Sequence, residues 1–219
     1  MQAVTILTLA GVMCAALPAA ADVLSGTVTT RVRAGATAAT AVVYAEPLDG
    51  VAPSRPAAPV SIEQRDKTFV PRVLAVPVGT TVRFPNSDGI FHNVFSLSPG
   101  NAFDLGLYRS GASKSRTLTG PGLVRVFCNI HPQMTAVVVA APTPWVAVTA
   151  AGGAFRLELP AGRYRLTALS ERAAAVTAEV TVGGATTAPV LALDESAFTG
   201  VPHTNKFGKP YPPEAYKQP

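Results

Sequence analysis

The chain has 219 residues, a formal net charge of +5, 14 % charged residues and 48 % hydrophobic ones. That balance excludes a disordered chain, and no Lys/Arg block or interleaving of basic with aromatic residues marks a nucleic-acid surface. Twenty prolines and eighteen glycines spread along it imply many short segments joined by turns.

The first stretch, MQAVTILTLAGVMCAALPAAADV, carries no charged side chain before Asp22, is broken by Pro18 and ends in Ala19-Ala20-Ala21. It predicts a secretory signal over 1–21, cut after Ala21 and too short for a comfortable membrane span. Gly11-Val12-Met13 before Cys14 is no lipoprotein box, so Cys14 leaves with the signal and the mature chain keeps one cysteine, Cys128. The expected location is periplasmic or secreted. A second uncharged run, MTAVVVAAPTPWVAVTAAGG, is interrupted by Pro142 and Pro144 and dominated by β-branched residues. It reads as two strands joined by a proline turn, so no transmembrane segment is expected in the mature chain.

From there on the sequence shows short valine-rich alternation bounded by Gly and Pro rather than helical periodicity. VSIEQ, RVLAVPVGTTVRF, RTLTGPGLVRVF, TAVVVA, FRLELPAGRYRLTAL, AEVTVGG and PVLAL are the strand candidates. The fold class they predict is all-β, built of antiparallel sandwiches, with little helix. Composition divides the mature chain into N-terminal strands and a proline-rich linker (22–57), a block dense in polar and aromatic residues (58–141), a second strand series (142–195) and a Pro/Lys-rich tail (196–219).

Chemistry concentrates in CNIHPQM, residues 128–134. A lone thiol in an oxidising compartment is a liability unless it is buried, catalytic or metal-bound. Alternation in LVRVFC puts Val124, Val126 and Cys128 on one face, so the thiol emerges inward where the strand ends. The following loop returns His131 and Met134. Thiolate with thioether selects copper among first-row metals, and two histidines, a cysteine and a weak axial methionine make a blue-copper site. The second histidine must come from another strand. His92, in FPNSDGIFHNV, is the only candidate within the same block, and His203 is expected to be an exposed tail residue.

VPVGTTVRFPNSDGIFHNVFS resembles the segment around the first histidine ligand of cupredoxins, and RTLTGPGLVRVFCNIHPQM resembles the C-terminal part of the plastocyanin and amicyanin type. The phrases QRDKTFVPRVLAVPVG and CNIH are similar to the cupredoxin-containing methylamine utilization proteins. The resemblance covers most of residues 60–140. It implies a Greek-key cupredoxin sandwich holding one copper ion, with His92, Cys128 and His131 equatorial and Met134 axial. It also implies supporting roles for Asn93, whose backbone amide would bond the thiolate, and for Asn129 beside the cysteine. The pattern T-x-x-G-x-F-x-L-x-L-P-A-G-x-Y-x-L in 142–195 is similar to carboxypeptidase regulatory-like domains, which implies a second, smaller transthyretin-like or carbohydrate-binding-like sandwich. In those domains the opening strands read G-x-V, turn, A-V-V; here that element is residues 25–47. The cupredoxin is therefore expected to be inserted into the second sandwich, the alternative being an N-terminal hairpin that extends the cupredoxin; contact between strands at 25–46 and those at 154–169 distinguishes the two.

The function expected is single-electron transfer between Cu(I) and Cu(II), with an exported cytochrome or dehydrogenase as redox partner; copper trafficking or storage is the alternative. An enzyme is not expected. Once His92 and His131 are assigned only His203 remains, which leaves a second copper centre without ligands, and a Cys128–His131 hydrolase would need an exposed thiol. Arg156, Glu158, Arg163, Arg165, Glu171 and Arg172 are expected to form a solvated face on the second sandwich.

Overall fold

A computed structural model describes residues 21–184, 187–200 and 203–212. The expected signal segment and Cys14 lie outside these residues as far as residue 20; Ala21, the expected last residue of the signal, opens the first strand. The chain begins with β1 (Ala21–Arg31) and β2 (Val42–Pro47). Ten strands follow: β3 (Val60–Ser61), β4 (Glu63–Arg65), β5 (Thr68–Val70), β6 (Val73–Pro77), β7 (Thr81–Pro85), β8 (His92–Ser96), β9 (Phe103–Tyr108), β10 (Ser113–Thr117), β11 (Gly122–Phe127) and β12 (Thr135–Ala141). The last are β13 (Val146–Val148), β14 (Ala154–Pro160), β15 (Gly162–Leu169), β16 (Val176–Val182) and β17 (Val190–Asp194). The protein is all-β: among the described residues the only helical piece is a 3₁₀ turn at Ala151–Gly153, and none of those residues forms a helix long and apolar enough to cross a membrane.

β3 to β12 build one sandwich. Its larger sheet runs β6-β12-β11-β8-β9 and its smaller one β10-β7-β3, with the β4–β5 hairpin alongside. The core between them takes Val82 and Phe84 from β7, Val124 and Val126 from β11, Ala136, Val138 and Ala140 from β12, and Cys128 and Met134 at one end. Each such branched aliphatic side chain contributes about 1.5–3 kcal/mol on leaving water.

The remaining strands form a second sandwich from the two ends of the chain. β1 pairs with β14 (Leu24↔Leu157) and β17, while β2 lies between β13 and β15 (Val43↔Ala147, Val43↔Ala168). Strands at 21–47 thus pair directly with strands at 146–194, and the β3–β12 sandwich is an excursion between two neighbouring strands, β2 and β13.

β12 explains the uncharged run. Ala136, Val138 and Ala140 face the first core, whereas Val137 and Val139 point the other way and pack against Val42 of β2, with Val146 and Leu169 beside them. A strand buried on both faces reads as continuous apolar sequence. The same seam corrects one expectation. Arg156, Glu158, Arg163 and Arg165 are solvated, but Glu171 is not: its side chain is largely covered and sits 2.6 Å from Arg72 and 3.6 Å from Arg125 of the first sandwich. The turn after β15 carries it there, because that turn abuts the larger sheet of the first sandwich.

Candidate metal centre

Three elements meet at one end of the first sandwich. Cys128 follows β11 immediately and continues its inward alternation with Val124 and Val126. β8 pairs with β11 through Phe127↔Phe95 and presents His92 as its first residue. The chain then folds back on itself: Met134 N–H donates to the His131 carbonyl (2.9 Å), and Cys128 N–H donates to the Met134 carbonyl (3.2 Å). That closed loop brings His131 over the thiol and puts Met134 in the same core cluster as Cys128, both wholly buried.

The donor atoms converge. Cys128 Sγ lies 3.7 Å from His92 Nδ1 and 3.8 Å from His131 Nδ1, and the two nitrogens are 3.2 Å apart. A circle through these three atoms has a radius of about 2.1 Å, matching bonds from a first-row ion to nitrogen or sulfur at ~2.0–2.3 Å. Soft sulfur and two imidazoles at that spacing, sealed from water, fit a copper ion better than a hard cation, which prefers oxygen. His92 and Cys128 are fully buried, and His131 keeps 8 % exposure. Of the residues expected at the site, His92, Cys128 and His131 come together, and Met134 lies in the core beside them.

Asp88 was not anticipated from the sequence. Its Oδ2 is 2.7 Å from His92 Nε2, and its carboxylate also accepts the backbone N–H groups of Asp66 and Lys67 in the β4–β5 turn. An N–H at Nε2 donated to Asp88 leaves Nδ1 unprotonated toward the thiol, which fixes the tautomer a ligand needs. The signal was present in N-S-D-G, four residues before His92, although it reads equally well as a plain turn.

The electrostatics match a metal centre. Burial pushes the Cys128 thiol up, but the His92 hydrogen bond and the backbone N–H groups of Asn93, Ile130 and His131 outweigh it and leave the pKa lowered. Burial opposes a charged His92, yet Cys128 and Asp88 raise its pKa. Burial and the neighbouring His92 charge lower that of His131.

Asn93 therefore holds the thiol with its backbone, while its side chain donates to Asp104 (2.6 Å). Asn129 turns away from the donors: its Oδ1 accepts the backbone N–H of Lys206 (3.0 Å). His203 corrects a second expectation. It is not an exposed tail residue, because its ring is half-buried in a parallel stack on Phe127, centroids 4.2 Å apart.

No known protein-family profile matches the chain, and no curated protein does. Among solved structures, the chain is similar to the copper-containing nitrite reductase of Thermus scotoductus SA-01, with 27 % identity, 43 % of this chain and 25 % of that one covered, and a TM-score of 0.37. It thus spans about a quarter of that enzyme's length. It is also similar to a purple cupredoxin from Nitrosopumilus maritimus, at 22 % identity over 37 % of this chain and 99 % of that one, TM-score 0.35. A Cu(I) form of an amicyanin variant gives 21 % identity over 44 % and 98 % of the two chains, TM-score 0.36.

Proposed function

We propose that this protein is a blue-copper cupredoxin that carries single electrons, with His92, Cys128 and His131 as equatorial ligands and Met134 as the weak axial one. The observation that carries the reading is the buried triangle of Sγ and two Nδ1 atoms. Copper, when bound, supplies the Cu(I)/Cu(II) couple.

The chain's own residues do the rest. The His92 hydrogen bond and the amides of Asn93, Ile130 and His131 lower the Cys128 pKa, which favours the thiolate that a metal ion binds. Asp88, itself held by the backbone N–H groups of the β4–β5 turn, fixes the His92 ring from behind. A preformed site of this kind needs little rearrangement when its charge changes, which is the requirement for fast electron exchange. Electrons enter and leave through His131, the one donor residue with an exposed edge, beside the exposed apolar side chain of Ile130. The second sandwich, similar in sequence to carboxypeptidase regulatory-like domains, serves as structural support or as a docking module, and the partner is an exported redox protein.

The test is copper loading of the metal-free protein. One equivalent of Cu(II) should give an intense visible thiolate charge-transfer band that disappears in Cys128→Ser, and the ion should stay bound after reduction. Binding without the band overturns the assignment of ligands. A band followed by release on reduction replaces the electron carrier with copper trafficking.

A further inference from the structure

The C-terminal segment does not trail from the fold. Residues 203–212 form a closed turn of their own, bridged between Thr204 and Pro210, with Asn205 N–H donating to the Lys209 carbonyl (2.8 Å) and Asn205 Oδ1 accepting from Phe207 and Lys209. The turn grips three consecutive residues at the thiol. His203 stacks on Phe127. Tyr211 donates its hydroxyl to the Cys128 carbonyl (3.2 Å). Lys206 donates its backbone N–H to Asn129 Oδ1 (3.0 Å).

A second route runs through the Lys206 side chain. Its Nζ lies 2.7 Å from Asp104, and Asp104 accepts from the Asn93 side chain, whose own backbone amide faces the thiol. The ring of Tyr211 meets His203 edge-on at 5.2 Å, so the contacts brace one another.

We propose that residues 203–212 are a clip that positions the Cys128 thiolate, with Tyr211 and Lys206 as its positioning residues. The inference rests on the copper reading above for its consequence, since outer partners that orient a ligand tune the ion it holds. Its physical basis stands without the ion: the tail holds the Phe127 ring, the Cys128 carbonyl and the Asn129 side chain, so loss of the clip loosens that loop.

Two readouts separate the clip from the copper reading. In metal-free protein, alkylation of Cys128 by iodoacetamide reports opening of the loop. Tyr211→Phe, which keeps the ring and removes one hydrogen bond, should speed it about fivefold, and Tyr211→Phe with Lys206→Met should speed it further. Val51→Ala, an exposed position between β2 and β3 and outside the clip, serves as the control and should leave the rate unchanged. In copper-loaded protein the same two variants should bind one equivalent and shift the energy of the charge-transfer band. Alkylation within about twofold of wild type in both variants overturns the clip, whatever the spectrum does. A wild-type protein without the band overturns the copper reading, while accelerated alkylation would still uphold the clip.

Discussion

His92 Nε2 lies 2.7 Å from Asp88 Oδ2, on the side of the ring away from the nitrogen that faces the Cys128 thiol. In the proposed copper site Asp88 is an outer partner that orients His92 without binding the ion, so its removal should weaken binding without abolishing it. Asp88→Ala should lower copper affinity about 10–100-fold, the usual loss for a partner behind a ligating histidine. Asp88→Asn, which keeps an acceptor oxygen, should lose less. Competition against a chelator of known affinity measures both, and equal affinity in wild type and Asp88→Ala would remove Asp88 from the centre.

The contacts of His92 with Cys128 and Asp88 give the metal-free and copper-loaded proteins opposite responses to acid. His92 has a raised pKa in the fold. Its protonated form thus stabilises the metal-free protein fully below the ordinary histidine value of about 6.5, and that contribution is lost as pH rises through the raised value. Copper needs Nδ1 of His92 unprotonated, so affinity should fall with acid, by about tenfold per pH unit for each donor that takes a proton. His131, with a lowered pKa, joins this competition at lower pH than His92. Thermal melts across about pH 5–8 should show the Tm gained from copper shrinking toward the acid end. A gain independent of pH would contradict the protonation of His92.

Much of this site is legible in the sequence because it sits on periodic structure. The alternation Val124, Val126, Cys128 is dictated by the strand, and it places the sulfur inward before any coordinates are known. His92 follows by elimination in a chain with three histidines. Asp88 is not legible in this way, because its bonds to His92 and the β4–β5 turn join two loops with no shared period. The clip residues are hidden for a similar reason. Tyr211 reaches a backbone carbonyl, which any sequence supplies, so nothing near Cys128 announces its partner. Glu171 looks like a surface charge until the seam with Arg72 and Arg125 exists.

Gly153 should be intolerant of any side chain. It has φ +84, and an added Cβ would meet the Val28 carbonyl oxygen at 1.9 Å. Backbone on both sides must shift, so Gly153→Ala should destabilise the protein by about 2–4 kcal/mol, in the range of severe single substitutions. The copper band should be unchanged, since Gly153 abuts β1 in the second sandwich, away from the donor triangle. Urea unfolding followed by fluorescence and by the visible band gives the two readings. Tolerance of alanine would mean that β1 approaches this turn less closely.

Val42 tests how far the two sandwiches depend on each other. It is buried in β2 of the second sandwich, yet it packs with Val137 and Val139 on the outer face of the first. Val42→Ala removes two methyl groups from that contact and leaves the strand pairing and the inner cores intact. The loss should be about 2 kcal/mol, at the lower end for truncation of a buried aliphatic residue. Because the lost contact is part of the apolar seam joining the sandwiches, it should also reduce their cooperativity. The copper-loaded wild type should unfold in one transition with band and fluorescence lost together, whereas in Val42→Ala the fluorescence change should precede loss of the band. Coincident transitions in the variant would show that the Glu171 ion pairs and the two chain crossings couple the sandwiches without this apolar contact.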